Sequence, residues 1–219
     1  MKKIIIVGAG GHAAEIVDYL NFNQQISSDK NIENMDLLGL IDDSEINYNS
    51  YDYTVPYLGA IKDHIVLKNV GYIIGIANMK FRRIIISQLV EKGAQFVSFI
   101  HPTALISPTA TIGVGCVVSH NVSIGPKATI GDFNLLNSRC TIGHDSKIGN
   151  FNFFSPQVVT GGGATIGDEN FIGTNAAILP SISLGNHNTI SAGMIVDKSI
   201  ENDATIFHRF KEKVVIISN

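Results

Sequence analysis

His144 is the residue of this 219-residue chain whose neighbours best suit it to chemistry. Asp145 follows it directly, and Gly162 lies eighteen residues later, between Gly161 and Gly163. An imidazole can act as a general base, and a backbone without side chains can present N–H groups to a developing oxyanion. Acyl transfer needs both groups. The alternative is that His144 is an exposed corner residue and that the glycines only form a tight bend.

A period of six residues decides how positions 144 and 162 relate in space. Every sixth residue from Ile106 to Val196 is apolar except Thr160, a glycine often follows, and the fifth position of each hexad is usually small. Such a period without insertion predicts a parallel β-helix with three hexads, or 18 residues, in each triangular coil. The span then holds about five coils, with the large aliphatic residue inside and the glycine at a corner where φ is often positive.

The same phase sorts the histidines among the corners. It places His144 and Gly162 at one corner in adjacent coils. It places His120, His144 and His187 at three different corners, so they cannot form one metal cluster within a chain. The sequence therefore predicts no metal site, and we expect His120 and His187 to be structural corner residues.

Residues 1–100 lack the six-residue period and predict a small α/β domain. Strands are predicted at residues 4–7, 37–41, 72–76 and 96–100, and helices at 14–22 and 80–92, the second closed by Gly93. Strands that alternate with helices indicate a small, Rossmann-like parallel sheet. The predicted fold is therefore an α/β domain over residues 1–100, followed over residues 101–219 by the β-helix and a C-terminal extension.

A glycine-rich turn at residues 8–13 joins the first strand to the first helix. It is similar to the dinucleotide fingerprint, which requires an acid about 20 residues past the glycines. Asp42 and Asp43 lie more than 30 residues past them, which disfavours a nicotinamide cofactor. The free N–H groups and positive dipole of a helix N-terminus favour the phosphates of a sugar nucleotide instead. Asp42 would bind the base or sugar there, or would only cap a turn.

Composition excludes several classes of partner. Charged residues make up 16% of the chain and the formal net charge is -3, which argues against nucleic acid. No apolar run reaches the length of a membrane span. Cys116 and Cys140 occupy inward positions 24 residues apart, on different faces. We predict two buried free thiols, in keeping with a reducing cytoplasm.

The chain also resembles a known family. The matching stretches are residues 4–12, 39–43, 76–78 with Arg82, 99–104 and 137–149, spread over nearly all of the chain. They resemble the hexapeptide-repeat sugar O- and N-acyltransferases of the sialic acid O-acetyltransferase family, and most of all the bacterial nucleotide-amino-sugar N-acetyltransferases. The resemblance implies a left-handed β-helix and an acetyl-CoA-dependent homotrimer. It also implies that the N-terminal domain holds the nucleotide sugar and that acetyl-CoA lies in the groove between two solenoids.

The resemblance implies roles for the residues that match by position. His144 matches the general base and Asp145 its neighbouring acid. Gly162, between Gly161 and Gly163, matches the backbone donor that faces the thioester carbonyl of acetyl-CoA. The residues implied for the nucleotide sugar are Gly10, Gly11, His12, Asp42, Asn78 and Arg82, with Asn137 implied for the substrate.

Two departures from the family pattern are visible. Many relatives carry a second histidine nine residues after the first, and Phe153 stands there in this chain. The usual Gly-x-Pro-Ala turn near the C-terminus is replaced by Phe-His-Arg-Phe at residues 207–210. An auxiliary role for the second histidine is therefore lost, and the resemblance does not fix the acetyl-CoA wall formed by residues 197–219.

We therefore predict a cytoplasmic enzyme that N-acetylates a nucleotide-linked amino sugar, with a 4-amino-4,6-dideoxyhexose favoured, for surface polysaccharide such as lipopolysaccharide. Two alternatives stay open. One is O-acetylation of a sugar hydroxyl, such as that of sialic acid. The other is a non-catalytic trimeric binding module, because a β-helix can serve only as a trimerising rod. The residues do not distinguish between possible sugars or nucleotide bases.

Overall fold

The computed structural model describes residues 2–26 and 35–208 and begins with a four-stranded parallel sheet. Its strands are β1 (Lys2–Val7), β2 (Met35–Ile41), β3 (Gly71–Ile74) and β4 (Gln95–Phe96), in the order β2-β1-β3-β4. The helices are α1 (Gly11–Ile26), α2 (Glu45–Asn49) and α3 (Met79–Glu91). The short aliphatic run of β1 is fully buried between two neighbours, as a central parallel strand requires. The predicted α/β architecture is confirmed, while α2 was not predicted.

The strand predicted at residues 96–100 is wrong as a single element. Gln95–Phe96 completes the N-terminal sheet, whereas β5 (Phe99–Ile100) pairs with β8 (Val117–Val118) of the solenoid. The chain changes sheets at Ser98, whose Oγ donates to the Gly113 carbonyl at 2.7 Å. Apolar pattern cannot show this change, because each of the two short strands buries a phenylalanine. The domain boundary at residue 100 stays a prediction.

Eighteen two-residue strands, β5 to β22, form a left-handed parallel β-helix of about six turns, one more than predicted. The first sheet contains β5, β8, β11 (Leu135–Leu136), β14 (Phe153–Phe154), β17 (Phe171–Ile172), β20 (Thr189–Ile190) and β22 (Thr205–Ile206). The second sheet contains β6 (Leu105–Ile106), β9 (Ser123–Ile124), β12 (Thr141–Ile142), β15 (Val159–Thr160), β18 (Ala177–Ile178) and β21 (Ile195–Val196). The third sheet contains β7 (Thr111–Ile112), β10 (Thr129–Ile130), β13 (Lys147–Ile148), β16 (Thr165–Ile166) and β19 (Ser183–Leu184).

The interior of the solenoid matches the sequence pattern. Thr141 pairs with Val159, eighteen residues on, which confirms the coil length. The repeated positions from 124 to 196 are all buried, and so are the small fifth positions from 116 to 176. Cys116 and Cys140 are buried free thiols, as predicted, and burial raises their pKa to about 11 and about 12.

The glycines that follow the aliphatic positions do not have the predicted role. Positive φ occurs two positions later in the turn, at Gly163 (69°) and at Asp145 (58°), for example. The repeat glycines lie where neighbouring coils touch: a Cβ on Gly143 would lie 2.6 Å from backbone atoms of Gly161 and Gly162. Glycine is required there because the coils stack closely, and not because the turn needs a left-handed residue.

The N-terminal sheet packs against the first sheet of the solenoid. Phe99 and Val117 are buried there in one apolar cluster with residues of β1 and α1. A second contact joins α3 to the solenoid: Arg83 forms an ion pair with Glu169, and its guanidinium carbon lies 5.4 Å from the ring centre of Phe151. These contacts fix the glycine turn relative to the solenoid. Among the described helices, none combines the length and hydropathy that a membrane crossing requires.

Candidate active site

His144 and Asp145 occupy the turn between β12 and β13, at a corner of the solenoid. His144 Nδ1 lies 2.7 Å from Asp145 Oδ2, and both side chains are more than half exposed. Adjacent coils hold the turn on both sides, because the Asp145 N–H donates to the Pro126 carbonyl and the Gly163 N–H to the His144 carbonyl, both at 2.8 Å. When Nδ1–H donates to a carboxylate, Nε2 is left as the basic nitrogen. The predicted pair is therefore arranged as an oriented base.

Gly162 lies directly beside the His144 ring, as the 18-residue coil predicts. A Cβ at Gly162 would lie 2.5 Å from Nε2 and 2.6 Å from Cε1 of that ring. A side chain at position 162 and the observed ring position are therefore incompatible. The structure brings the basic nitrogen against a backbone segment that carries no side chain.

The backbone N–H groups at this corner differ from those at other corners. Those of His144 and Gly162 donate no hydrogen bond within the part of the chain that the structure describes. The equivalent residues of neighbouring coils are prolines, which have no N–H: Pro108, Pro126 and Pro180. At the corner after the third sheet, the equivalent N–H groups instead donate to Asp or Asn side chains of the next coil at 2.6–2.8 Å. Free donors and a basic nitrogen meet at one corner, and acyl transfer needs these groups.

Asn137 and Phe153 lie on other parts of the solenoid. Asn137 occupies the corner before β12, and its Nδ2 donates to the Phe154 carbonyl at 3.0 Å. This is not the corner of His144, so one chain does not bring the two residues together. Phe153 stacks on Phe171, with ring centres 5.3 Å apart, on the outer surface of the first sheet.

A cavity of about 600 Å³, called here the glycine-turn cavity, lies beside residues 8–13. Five of the six residues implied for the nucleotide sugar line it: Gly10, Gly11, His12, Asp42 and Asn78. Helix α1 begins at Gly11, and Asn78 caps α3 by accepting the Phe81 N–H at 3.2 Å. A Cβ at Gly10 would meet no heavy atom within 4 Å. Two helix N-termini at one cavity suit an anionic ligand.

Asp42 is held by backbone groups rather than left free for a ligand. Its Oδ2 accepts the Ala9 N–H at 2.7 Å, and its Oδ1 accepts the Ser44 N–H at 2.8 Å. The side chain of Asn47 donates to the same Oδ1 at 3.2 Å, and Asp42 is 8% exposed. The carboxylate therefore ties the glycine turn to the loop after β2, which combines the two roles that the sequence left open.

Tyr53 belongs to the same construction and was missed from the sequence. Its hydroxyl donates to the Ala9 carbonyl at 2.9 Å, so it supports the glycine turn from the other side. Burial is the main cause that raises the pKa of Tyr53 to about 12, so the hydroxyl stays protonated as a donor. No spacing signal could have found it, because 44 residues separate the two partners.

His12 and Arg82 have polar atoms that lack partners. His12 lies with Nδ1 3.3 Å from Glu15 Oε2, and its buried Nε2 has no hydrogen-bond partner in the described residues. Arg82 is 2% exposed, does not line the glycine-turn cavity, and likewise has no partner for its guanidinium nitrogens there. Burial lowers the pKa of Arg82 to about 10, although nearby Cys116 acts in the opposite direction. The structure does not bring Arg82 to the predicted pocket.

The remaining histidines lie elsewhere. His101 and His120 line a second cavity of about 490 Å³ with Tyr19 and Phe22. Sequence reasoning missed this cavity, because three separated stretches of chain form it. Burial lowers the pKa of His101, and the charge of His120 acts in the same direction. His187 lies after β19, so the placement of three histidines on three corners is confirmed.

The described residues contain no group of three or more His, Cys, Asp or Glu side chains that could hold a metal ion. At the C-terminal end, Phe207 and His208 are exposed. The other two residues of the departing segment, Arg209 and Phe210, lie outside the described residues.

A comparison with protein families assigns the N-terminal part. The model of the family described as the PglD N-terminal domain matches residues 3–89. Residues 3–89 belong to this family. All residues that line the glycine-turn cavity lie within this PglD N-terminal domain.

A curated relative and two solved structures are similar to the chain. The UDP-N-acetylbacillosamine N-acetyltransferase of Bacillus subtilis (strain 168) is 28% identical over 120 residues, which cover 54% of this chain and 51% of the relative. The acetyltransferase domain of PglB from Neisseria gonorrhoeae FA1090, in complex with acetyl coenzyme A, is 23% identical with a TM-score of 0.79 and covers 93% of this chain and 96% of that chain. PerB from Caulobacter crescentus, in complex with CoA and GDP-perosamine, is 21% identical with a TM-score of 0.75 and covers 93% and 92%.

These similarities confirm the fold and the resemblance drawn from the sequence. Each of the two structures matches the α/β part and the β-helix together. The chain matches about half the length of the curated relative.

Proposed function

We propose that this protein is an acetyl-CoA-dependent N-acetyltransferase that acts on a nucleotide-linked amino sugar. One observation carries the proposal: the basic nitrogen of His144 lies against Gly162, at a corner whose N–H groups are free. The similar proteins support the substrate class, since one is named for UDP-N-acetylbacillosamine and another was solved with CoA and GDP-perosamine.

The proposed transfer is direct. His144 Nε2 takes a proton from the sugar amine, and the amine nitrogen forms a bond with the thioester carbon of acetyl-CoA. The Gly162 N–H stabilises the charge on the carbonyl oxygen, and Gly161 and Gly163 keep the surrounding backbone clear. The C–S bond then breaks, and the proton on His144 passes to the departing thiolate. Asp145 stabilises the charged imidazole between these steps.

No covalent acyl-enzyme is needed in this scheme. The two cysteines are unsuited to be nucleophiles, because burial raises the pKa of each thiol and keeps it protonated.

We assign the nucleotide sugar to the PglD N-terminal domain and acetyl transfer to residues 101–219. Gly10, Gly11 and His12 would bind the phosphates at the start of α1. Asp42 would act by holding the glycine turn in shape, and Asn78 by holding the start of α3. The family resemblance supports a 4-amino-4,6-dideoxyhexose as the sugar, surface polysaccharide as its destination and the cytoplasm as the place of reaction.

Thiol release from acetyl-CoA tests the proposed function. We expect release with a nucleotide-linked amino sugar, and none with free sialic acid or without an acceptor. Release with sialic acid alone would favour O-acetylation. No release with any acceptor, from a protein that binds the nucleotide sugar, would favour a binding module.

We propose a homotrimer, and light scattering should give the mass of three chains. Asn137 and His144 lie on different corners of one solenoid, so a second chain is needed to bring both to one substrate. A monomer mass together with full activity would contradict a site shared between chains.

Gly10→Val should raise the Kd of the nucleotide sugar by about tenfold or more, which corresponds to about 1.4 kcal/mol of lost contact. The valine has open space around its Cβ, so it fills the glycine-turn cavity without straining the fold. Calorimetry with the nucleotide sugar measures the change, and the KM for acetyl-CoA should stay within about twofold of wild type.

Asp42→Ala provides a second test of the same cavity. It removes the acceptor of the Ala9 and Ser44 N–H groups, so the turn loosens and nucleotide binding weakens. Wild-type affinity in both variants would move the acceptor pocket elsewhere.

A further inference from the structure

Thr160 is the exception in the column of repeated aliphatic residues inside the solenoid. It pairs with Ile142 in the coil before and with Ile178 in the coil after, and it is 1% exposed. A buried hydroxyl is unfavourable unless it forms hydrogen bonds, so an aliphatic residue would suit the packing better. The position of the exception therefore calls for a reason other than packing.

The hydroxyl of Thr160 binds the backbone beside His144. The Gly143 N–H donates both to the Thr160 carbonyl at 3.0 Å and to Thr160 Oγ1 at 3.2 Å. The Thr160 hydroxyl itself donates to the Thr141 carbonyl at 3.5 Å. The equivalent N–H groups of Gly125 and Gly161 donate to a carbonyl alone, because an isoleucine stands where the threonine would be.

Thr160 thus joins the two segments that carry the proposed chemistry. Gly143, which it binds, directly precedes His144, and Gly162 follows Thr160 by two residues. We propose that Thr160 is a positioning residue, whose hydroxyl fixes the His144 turn against the free Gly162 N–H. This proposal rests on the proposed function, since the separation of base and donor matters only to a reaction that uses both.

Thr160→Val separates positioning from packing. The valine has nearly the same shape, and the Gly143 N–H keeps its carbonyl partner, so no buried donor is left unpaired. We expect Tm to stay the same or to rise, because a methyl group replaces a buried hydroxyl. We expect kcat to fall by about fivefold, the size of one neutral hydrogen bond, with each KM within about twofold of wild type.

Two further variants make the test specific. Thr160→Ser keeps the hydroxyl and loses the methyl group, so it should lower Tm while retaining the wild-type kcat. Ile178→Val changes the next residue of the same column without touching Gly143, and it should leave kcat unchanged. Unchanged kcat in Thr160→Val, or an equal loss in Thr160→Ser, would overturn the proposal.

Amide hydrogen exchange at Gly143 gives a readout that does not depend on an acceptor sugar. Exchange should be faster in Thr160→Val than in wild type and unchanged in Thr160→Ser. Equal exchange in all three proteins would show that the hydroxyl does not hold the turn and would refute the proposal. A wild-type chain that releases no thiol with any acceptor refutes the proposed function instead, and the catalytic part of this inference with it.

Discussion

His144→Ala is expected to lower kcat by about 100-fold or more, the usual contribution of a positioned general base. The variant removes the basic nitrogen that lies against Gly162, while the turn keeps its backbone bonds to both neighbouring coils. The loss should therefore appear in kcat, with nucleotide-sugar affinity unchanged. Steady-state kinetics of thiol release and calorimetry with the nucleotide sugar measure the two quantities.

Two controls bear on this expectation. His144→Asn keeps a polar side chain of similar size but has no basic nitrogen, so it should be as slow as His144→Ala. His187→Ala removes a histidine at another corner of the solenoid and should leave kcat near wild type. Near-normal turnover by a folded His144→Ala protein would remove the residue from the role of base.

The solenoid could be predicted almost completely from the sequence. In a β-helix the distance along the chain converts directly into position, because one coil always contains 18 residues. This is why His144 and Gly162 could be placed side by side from spacing alone. The prolines at 108, 126 and 180 were also visible in the sequence, and they were the signal for the free N–H groups that our sequence reasoning did not use.

The role of the repeat glycines was predicted wrongly for a physical reason. A glycine in a tight turn suggests positive φ, but the sequence does not show which residue of the turn adopts it. The structure gives positive φ to Asp145 and leaves Gly143 in contact with the next coil. Contacts between coils, rather than the turn itself, select glycine at that position.

The α/β part could be predicted only in outline. Its main strands follow from local apolar runs, but its cavity depends on contacts between distant residues. Asp42 binds Ala9 across 33 positions, and Tyr53 binds it across 44. Arg82 was assigned to the pocket by resemblance, and its burial depends on how α3 packs against the solenoid. No local pattern records these contacts.

Gly162→Ala is expected to lower kcat/KM for acetyl-CoA by about 100-fold, although it adds a single methyl group. The new Cβ would lie 2.5 Å from His144 Nε2, so the ring must move away from the free N–H groups. Misplacement of a catalytic group by about 1 Å can reduce a rate by that factor. Nucleotide-sugar binding should be unaffected, because the PglD N-terminal domain forms the glycine-turn cavity.

A double-mutant cycle shows whether this effect passes through the ring. In a His144→Ala background there is no imidazole for the new methyl group to displace, so adding Gly162→Ala should lower the residual rate by less than about threefold. The two single losses would then be far from additive, as expected for groups that act as one unit. A full additional 100-fold loss in the double variant would show instead that the methyl group obstructs acetyl-CoA itself. Unchanged acetyl-CoA kinetics in the single variant would contradict the stacking of His144 on Gly162, on which the proposed site depends.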